Sequence, residues 1–338
     1  MRRRPRRCSC LRQPEAENDG ARSVSPPPEP KRSRALTRSF STEPLSVIVA
    51  YLQSELAHLE RVTLEVTDPD LGHGLYSGEA VGEGHRRSIH RPLRVWSDLA
   101  DRLELRLFTP VPRGDRIVLT FARLDQTATL LNRERRGPGK YAPGSGFERA
   151  SKLEDPDFLI DLDDALERCD LPAAPRVLSL GVNAGDELVP VLERHPEARF
   201  TGVDHDSEAL RAARERFRAP HKFIEADLAS PPELPPHDLV LCLDTLQVRD
   251  VVAEEVLLKI VRSWLAPEGC VILGLPNCRY LDGEQLHGTR LVNFRQPELS
   301  QLFKSVAHFR RFFQRQAKRV FVTGKREILV TAIPIRRS

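Results

Sequence analysis

Three apolar runs in the second half of this chain each close on a carboxylate, and that repeat restricts the folds open to it. Phe200 to Val203 is followed by Asp204, Phe223-Ile224 by Glu225-Ala226-Asp227, and the run HDLVLCL by Asp244. Near-continuous apolar runs, without polar alternation, are the mark of strands buried on both faces of a parallel sheet. Between them lie helical stretches such as Ser207 to Phe217 and Val252 to Trp264, so the unit repeated is strand, helix, strand. In such a sheet all strands point the same way, and their carboxyl ends share the edge where open α/β sheets bind ligands. Asp204, Asp227 and Asp244 are thereby predicted at one edge.

The unit starting at Arg176 reads RVLSLGVNAGDELVPVLERHPEARFTGVDHD. Val177, Leu178 and Leu180 form a strand, and Gly181 through Gly185 a turn whose missing side chains let backbone N–H groups approach a ligand. A helix begins near Asp186. Asp204 follows the turn by roughly 20 residues, the spacing at which an acid accepts hydrogen bonds from ribose hydroxyls, so a nucleoside-containing ligand is implied. Pro267-Glu268-Gly269 then makes a turn, CVILGLPN a fifth strand ending at Asn277, and Gln296 to Gln316 a helix. The last stretch, VFVTGKREILVTAIP, reads as two strands about Gly324-Lys325.

This order resembles the class I S-adenosylmethionine-dependent methyltransferases over about half the chain, from Ala174 onward. The family's first loop has a pattern like D-x-G-x-G-x-G, which stands here as Ser179-Leu180-Gly181-Val182-Asn183-Ala184-Gly185. Ser179 replaces the leading acid and Asn183 the middle glycine; Asn tolerates positive φ better than most residues. The resemblance implies S-adenosyl-L-methionine as cofactor, held by Ser179, Gly181, Asn183, Gly185, Asp204 for the ribose, Asp227 for the adenine amino group, and Asp244 beside the methyl group. The expected fold is a Rossmann-like, seven-stranded methyltransferase sheet with a C-terminal antiparallel hairpin. A nicotinamide dehydrogenase would keep the G-x-G-x-x-G spacing that this loop lacks. Candidates for the catalytic edge are Asp244, Asn277 and Tyr280, with Arg279 beside them. The stretch DTLQVRD after the fourth strand has no His, so no catalytic metal is expected.

The first half is organised differently. Residues 1–43 are dense in Arg, Pro and Ser and are expected to be a disordered basic tail, serving as a nucleic-acid-attracting arm, a nuclear or organelle address, or a solvated extension. Residues 44–131 are expected to form a small α+β module, with Val47 to Leu59 helical, Val62, Leu64 and Val66 in a strand, and Trp96 in the core of a helix starting near Pro92. Residues 132–148 read as a basic, Gly/Pro-rich loop in which Lys140, Tyr141 and Phe147 are candidates for a lid, and residues 149–338 as the main domain. The formal charge is only +4, but basic residues cluster in the tail, in NRERRGPGK and in His308 to Arg319. That placement favours RNA slightly as acceptor, against a small molecule or protein, and against a non-catalytic cofactor-binding scaffold motivated by Ser179 and Asn183. The six cysteines have no paired spacing, and no apolar run reaches the roughly 20 residues of a membrane span, so an intracellular, most simply cytoplasmic, protein is expected.

Overall fold

The computed structural model describes residues 37–84, 87–128, 150–230, 232–248, 251–288 and 301–335. The expected lid residues Lys140, Tyr141 and Phe147, and the tail up to residue 36, lie outside these.

The main domain is built on seven strands in the spatial order β10-β9-β8-β11-β12-β16-β15. They are β8 (Arg176–Leu180), β9 (Arg199–Asp204), β10 (Lys222–Glu225), β11 (His237–Leu243), β12 (Leu265–Pro276), β15 (Lys318–Gly324) and β16 (Glu327–Pro334). The first five are parallel, whereas β16 runs antiparallel to both β12 and β15. The expected seven-stranded sheet with its terminal hairpin is therefore present. Strand order reverses between β8 and β11, which opens a crevice at their carboxyl ends.

Successive side chains on a strand face opposite sides, and both sides here are covered. Leu178, Val240, Cys242, Val271 and Leu273 point into one core with Trp264, Phe309 and Phe313. Val177, Leu239, Leu241, Cys270 and Ile272 point into the other with Phe158, Leu162 and Phe200. The helix Gln301–Arg315 thus inserts Phe309 and Phe313 into the core, so the basic cluster is helical with a buried aromatic face as far as Arg315, while Lys318 and Arg319 open β15. Of the expected helix Gln296 to Gln316, residues 296–300 lie outside the described residues, and the described part ends at Arg315.

Local chemistry sets several boundaries. The segment entering the main domain forms a 3₁₀ turn, Lys152–Glu154, and then an α-helix, Pro156–Cys169. Pro156 excludes Asp155 from helical geometry, and the Asp155 side chain instead accepts the Asp157 amide at 3.0 Å. Likewise Asp206 caps the helix Ser207–Arg216 by accepting from the amides of Glu208 and Ala209.

The N-terminal module has its own core, where Ile48, Leu52, Leu64, Trp96, Leu119 and Phe121 meet. Its sheet, β1-β2-β7-β5, comprises β1 (Thr37–Ser39), β2 (Arg61–Thr67), β7 (Arg116–Arg123) and β5 (Leu105–Leu107), with β6 (Val111–Arg113) paired to β7. Two helices, Leu45–Glu55 and Leu93–Leu103, cover it. Order begins before the expected Pro44: β1 pairs with β2, Phe40 is buried, and Arg116 donates to the Phe40 carbonyl at 2.7 Å. One large apolar side chain and a guanidinium anchor a segment whose composition alone resembles the tail.

A small hairpin joins the two units. Strands β13 (Cys278–Leu281) and β14 (Glu284–His287) follow β12, and Leu281 and Leu286 pack on Leu124 of the module.

Candidate functional site

A cavity of about 350 Å³ lies at the carboxyl edge of β8, β9 and β11, lined by Gly181, Asn183, Asp204, Asp227, Asp244 and Tyr280 among others. Six of the residues singled out from the sequence thus meet there. Ser179, Gly185 and Asn277, also expected at the site, stand outside the lining. Asn277 is committed elsewhere: its Nδ2 donates to the Lys325 carbonyl at 2.7 Å and its amide to the Arg326 carbonyl at 2.7 Å, which locks the terminal hairpin. Arg279 also points away, donating to Glu104 Oε1 at 2.7 Å and to the Gly288 carbonyl at 3.0 Å.

The first turn has the backbone its sequence demands. Gly181 and Gly185 have φ of +73° and +79°, and Asn183 sits at +46°, where an Asn side chain is tolerated in place of glycine. The amide of Asn183 donates to Asp204 Oδ2 at 2.8 Å, and that of Asp206 to Asp204 Oδ1 at 3.0 Å. Asp204 is 7% exposed, and besides these two backbone donors its Oδ1 faces His205 Nδ1 at 3.2 Å. Farther along, Asp227 accepts the Ala229 amide at 2.8 Å.

At the other end Asp244 adopts φ +55°, an uncommon conformation for a non-glycine residue, with its amide bonded to the Gly274 carbonyl at 3.1 Å. Its carboxylate meets the Lys152 ammonium, which also reaches Glu327 Oε2 at 3.3 Å. Glu327 is 5% exposed, and its carboxyl is raised well above the usual range by burial and by the facing Asp244, against the pull of Lys152. Burial works against the Lys152 charge, but Glu327 and Asp244 outweigh it and hold the ammonium protonated. The Tyr280 phenol accepts from Gln285 Nε2 at 3.3 Å, and burial pushes it up to about 12.

Lys152, Glu187 and Glu327 were not anticipated. Lys152 opens the 3₁₀ turn before a helix, and Glu327 reaches this edge because β16 runs antiparallel, which puts its first residue opposite Pro276 at the end of β12. Glu187, in GDEL, lines the cavity and receives the Ser179 hydroxyl at 2.6 Å. The acidic pair Asp186-Glu187 directly after the glycine turn is the signal that was available for it.

Residues 177–269 match the methyltransferase-domain family, the stretch that supplies the turn, Asp204, Asp227 and Asp244. The trans-aconitate 2-methyltransferase of Paracidovorax citrulli is 35% identical over 120 residues, 34% of this chain and 44% of that protein. The enzyme of the same name from Methylobacterium nodulans is 36% identical over 114 residues, 34% of this chain and 43% of that one. Residues 177–269 belong to the class I S-adenosylmethionine-dependent methyltransferase superfamily. The chain spans less than half the length of the curated methyltransferases it matches. Among solved methyltransferases, one from Aquifex aeolicus described as SAM dependent has 17% identity and a TM-score of 0.40, covering 54% of this chain and 96% of that one. Within the methyltransferase domain no described helix is long and apolar enough to cross a membrane.

Proposed function

We propose that this protein transfers methyl groups from S-adenosyl-L-methionine. The observation that carries the reading is the Asp204 carboxylate, fixed by the amides of Asn183 and Asp206 at the rim of a cavity whose first turn is glycine-shaped. A carboxylate there suits a ribose diol, Gly181 and Asn183 allow close backbone approach, and Asp227 on the same lining suits an exocyclic amine. When bound, the cofactor supplies a methyl group already activated by its sulfonium. The chain's own residues therefore mainly have to position the acceptor. Asp244, paired with the Lys152 ammonium, puts a matched ion pair at that end of the cavity. Tyr280 stays protonated at neutral pH, so it orients an acceptor as a donor and does not take its proton. Asn277 has no catalytic part in this reading, because its amide is engaged by Lys325.

For the acceptor, RNA is the reading carried forward, supported by the Arg-rich N-terminal segment and NRERRGPGK. A tricarboxylate like that in the relatives' name is disfavoured by Asp244 and Glu327, which already face Lys152 at the acceptor end. A scaffold without activity is disfavoured because Asn183 keeps the left-handed backbone of a glycine turn.

Calorimetry of S-adenosylhomocysteine with the full chain and with Asp204→Ala tests the cofactor. Micromolar binding lost in the variant supports the reading, and no binding to folded protein ends it. Transfer of labelled methyl groups to cell extract, before and after ribonuclease, then tests the acceptor. Label that survives the nuclease excludes RNA, and tight cofactor binding without any transfer favours the scaffold.

A further inference from the structure

The carboxylate that the loop motif lacks at Ser179 is present in the folded protein on Glu187. Ser179 ends up 2% exposed near the close of β8, and its Oγ donates to Glu187 Oε1 at 2.6 Å. Glu187 is the N-cap residue of the helix Leu188–Arg194, yet its side chain makes no capping bond to that helix. It folds back toward the strand end instead and lines the cavity beside Gly181 and Asn183. A carboxylate offers about four acceptor positions, and Ser179 uses one of them.

We propose that Glu187 takes the place of the missing motif acid and receives the ammonium of the cofactor's amino-acid end, with Ser179 as the residue that positions it. The proposal rests on the methyltransferase reading above. Burial and the neighbouring Asp186 push the Glu187 carboxyl up, to about 7, while the Ser179 hydroxyl and the Lys152 ammonium pull it down. The Cys242 thiol also faces it and is itself driven up to about 12 by burial, so it carries no charge there. Near neutral pH the empty site therefore holds a proton on Glu187 part of the time, and an arriving ammonium displaces it.

Calorimetry on the full chain with two ligands isolates this contact: S-adenosylhomocysteine, and 5′-methylthioadenosine, which has the same nucleoside but no amino-acid end. Glu187→Gln is expected to weaken S-adenosylhomocysteine about 10- to 100-fold and to leave 5′-methylthioadenosine unchanged. Adding Ser179→Asp to that variant returns an acid to the motif position and is expected to recover part of the loss. On the unaltered protein at pH 7, titrations in buffers of different ionisation enthalpy should show proton release with S-adenosylhomocysteine and none with 5′-methylthioadenosine. Equal weakening of both ligands, unchanged binding of S-adenosylhomocysteine, or no proton release overturns the role of Glu187 while leaving the cofactor reading in place. Failure of both ligands to bind the unaltered protein overturns the two together.

Discussion

The Thr245 hydroxyl occupies the space that a Cβ on Gly181 would need: a methyl there would lie 2.1 Å from Thr245 Oγ1. Thr245 is held in place because its Oγ1 donates toward the carbonyls of Leu180, at 3.0 Å, and Leu243, at 2.9 Å. The side chain after β11 therefore braces the end of β8 and fixes the floor of the cavity. Gly181→Ala is expected to lower stability by about 2–4 kcal/mol and to abolish cofactor binding, since clash and positive φ act together. Adding Thr245→Ala should recover only the clash, leaving a φ cost of roughly 1–2 kcal/mol. A double-mutant cycle in denaturant measures both parts.

Asn183 tests the same turn from the opposite direction. At φ +46° its replacement by Gly is expected to be close to neutral, while Asn183→Ala should cost about 1 kcal/mol. Equal stability of the Gly and Ala variants in urea would contradict the backbone geometry.

The Lys152 ammonium sits between the Asp244 carboxylate and the buried Glu327 carboxyl. Lys152→Met removes the cation that faces the Asp244 carboxylate in this partly buried cluster and is expected to destabilise the fold by about 3 kcal/mol or more. Glu327→Gln should cost less than about 1 kcal/mol at neutral pH, because burial already favours the neutral acid there. The urea midpoints of the two variants decide it; if Glu327→Gln were the more damaging, Glu327 would be ionised.

A buried acid also sets a pH dependence. The folded carboxyl of Glu187 stands at about 7, against an ordinary value of 4.5, so the folded protein binds its proton more tightly than the unfolded chain does. Its contribution to stability is full below pH 4.5 and is lost as pH rises through about 7. The loss is on the order of 2 kcal/mol, reduced from the full shift because the group lines an open cavity. Unfolding free energies of the unaltered protein and Glu187→Gln, compared between pH 5 and 8, should diverge in that direction. Parallel curves would refute it.

The Arg279 bridge concerns the two units and not the cavity. Arg279→Ala breaks the contacts to Glu104 and to the Gly288 carbonyl and should cost about 1–2 kcal/mol, with S-adenosylhomocysteine binding unchanged. A large loss of cofactor affinity would instead put the hairpin in the site.

The sequence by itself determined the sheet and one rim of the site. Strands buried on two faces must be apolar throughout, so β8, β9, β11 and β12 were legible as runs, and the turn from Gly181 to Gly185 was legible because few residues other than glycine and asparagine adopt its backbone. Asp204, Asp227 and Asp244 followed, since parallel strands bring their ends to one edge. Tertiary structure alone decided the rest. Asn277 sits at the end of β12, but the pairing of β12 with β16 turned its amide to Lys325. Lys152 and Glu327 are 175 residues apart and meet only because β16 runs against its neighbours. The acid missing from Ser179 came back on Glu187 because a hydroxyl and a carboxylate eight positions apart were folded to within 2.6 Å. Strand periodicity is a local property that any window of sequence displays; which side chains meet across a sheet edge depends on strand order and direction, which no local pattern encodes.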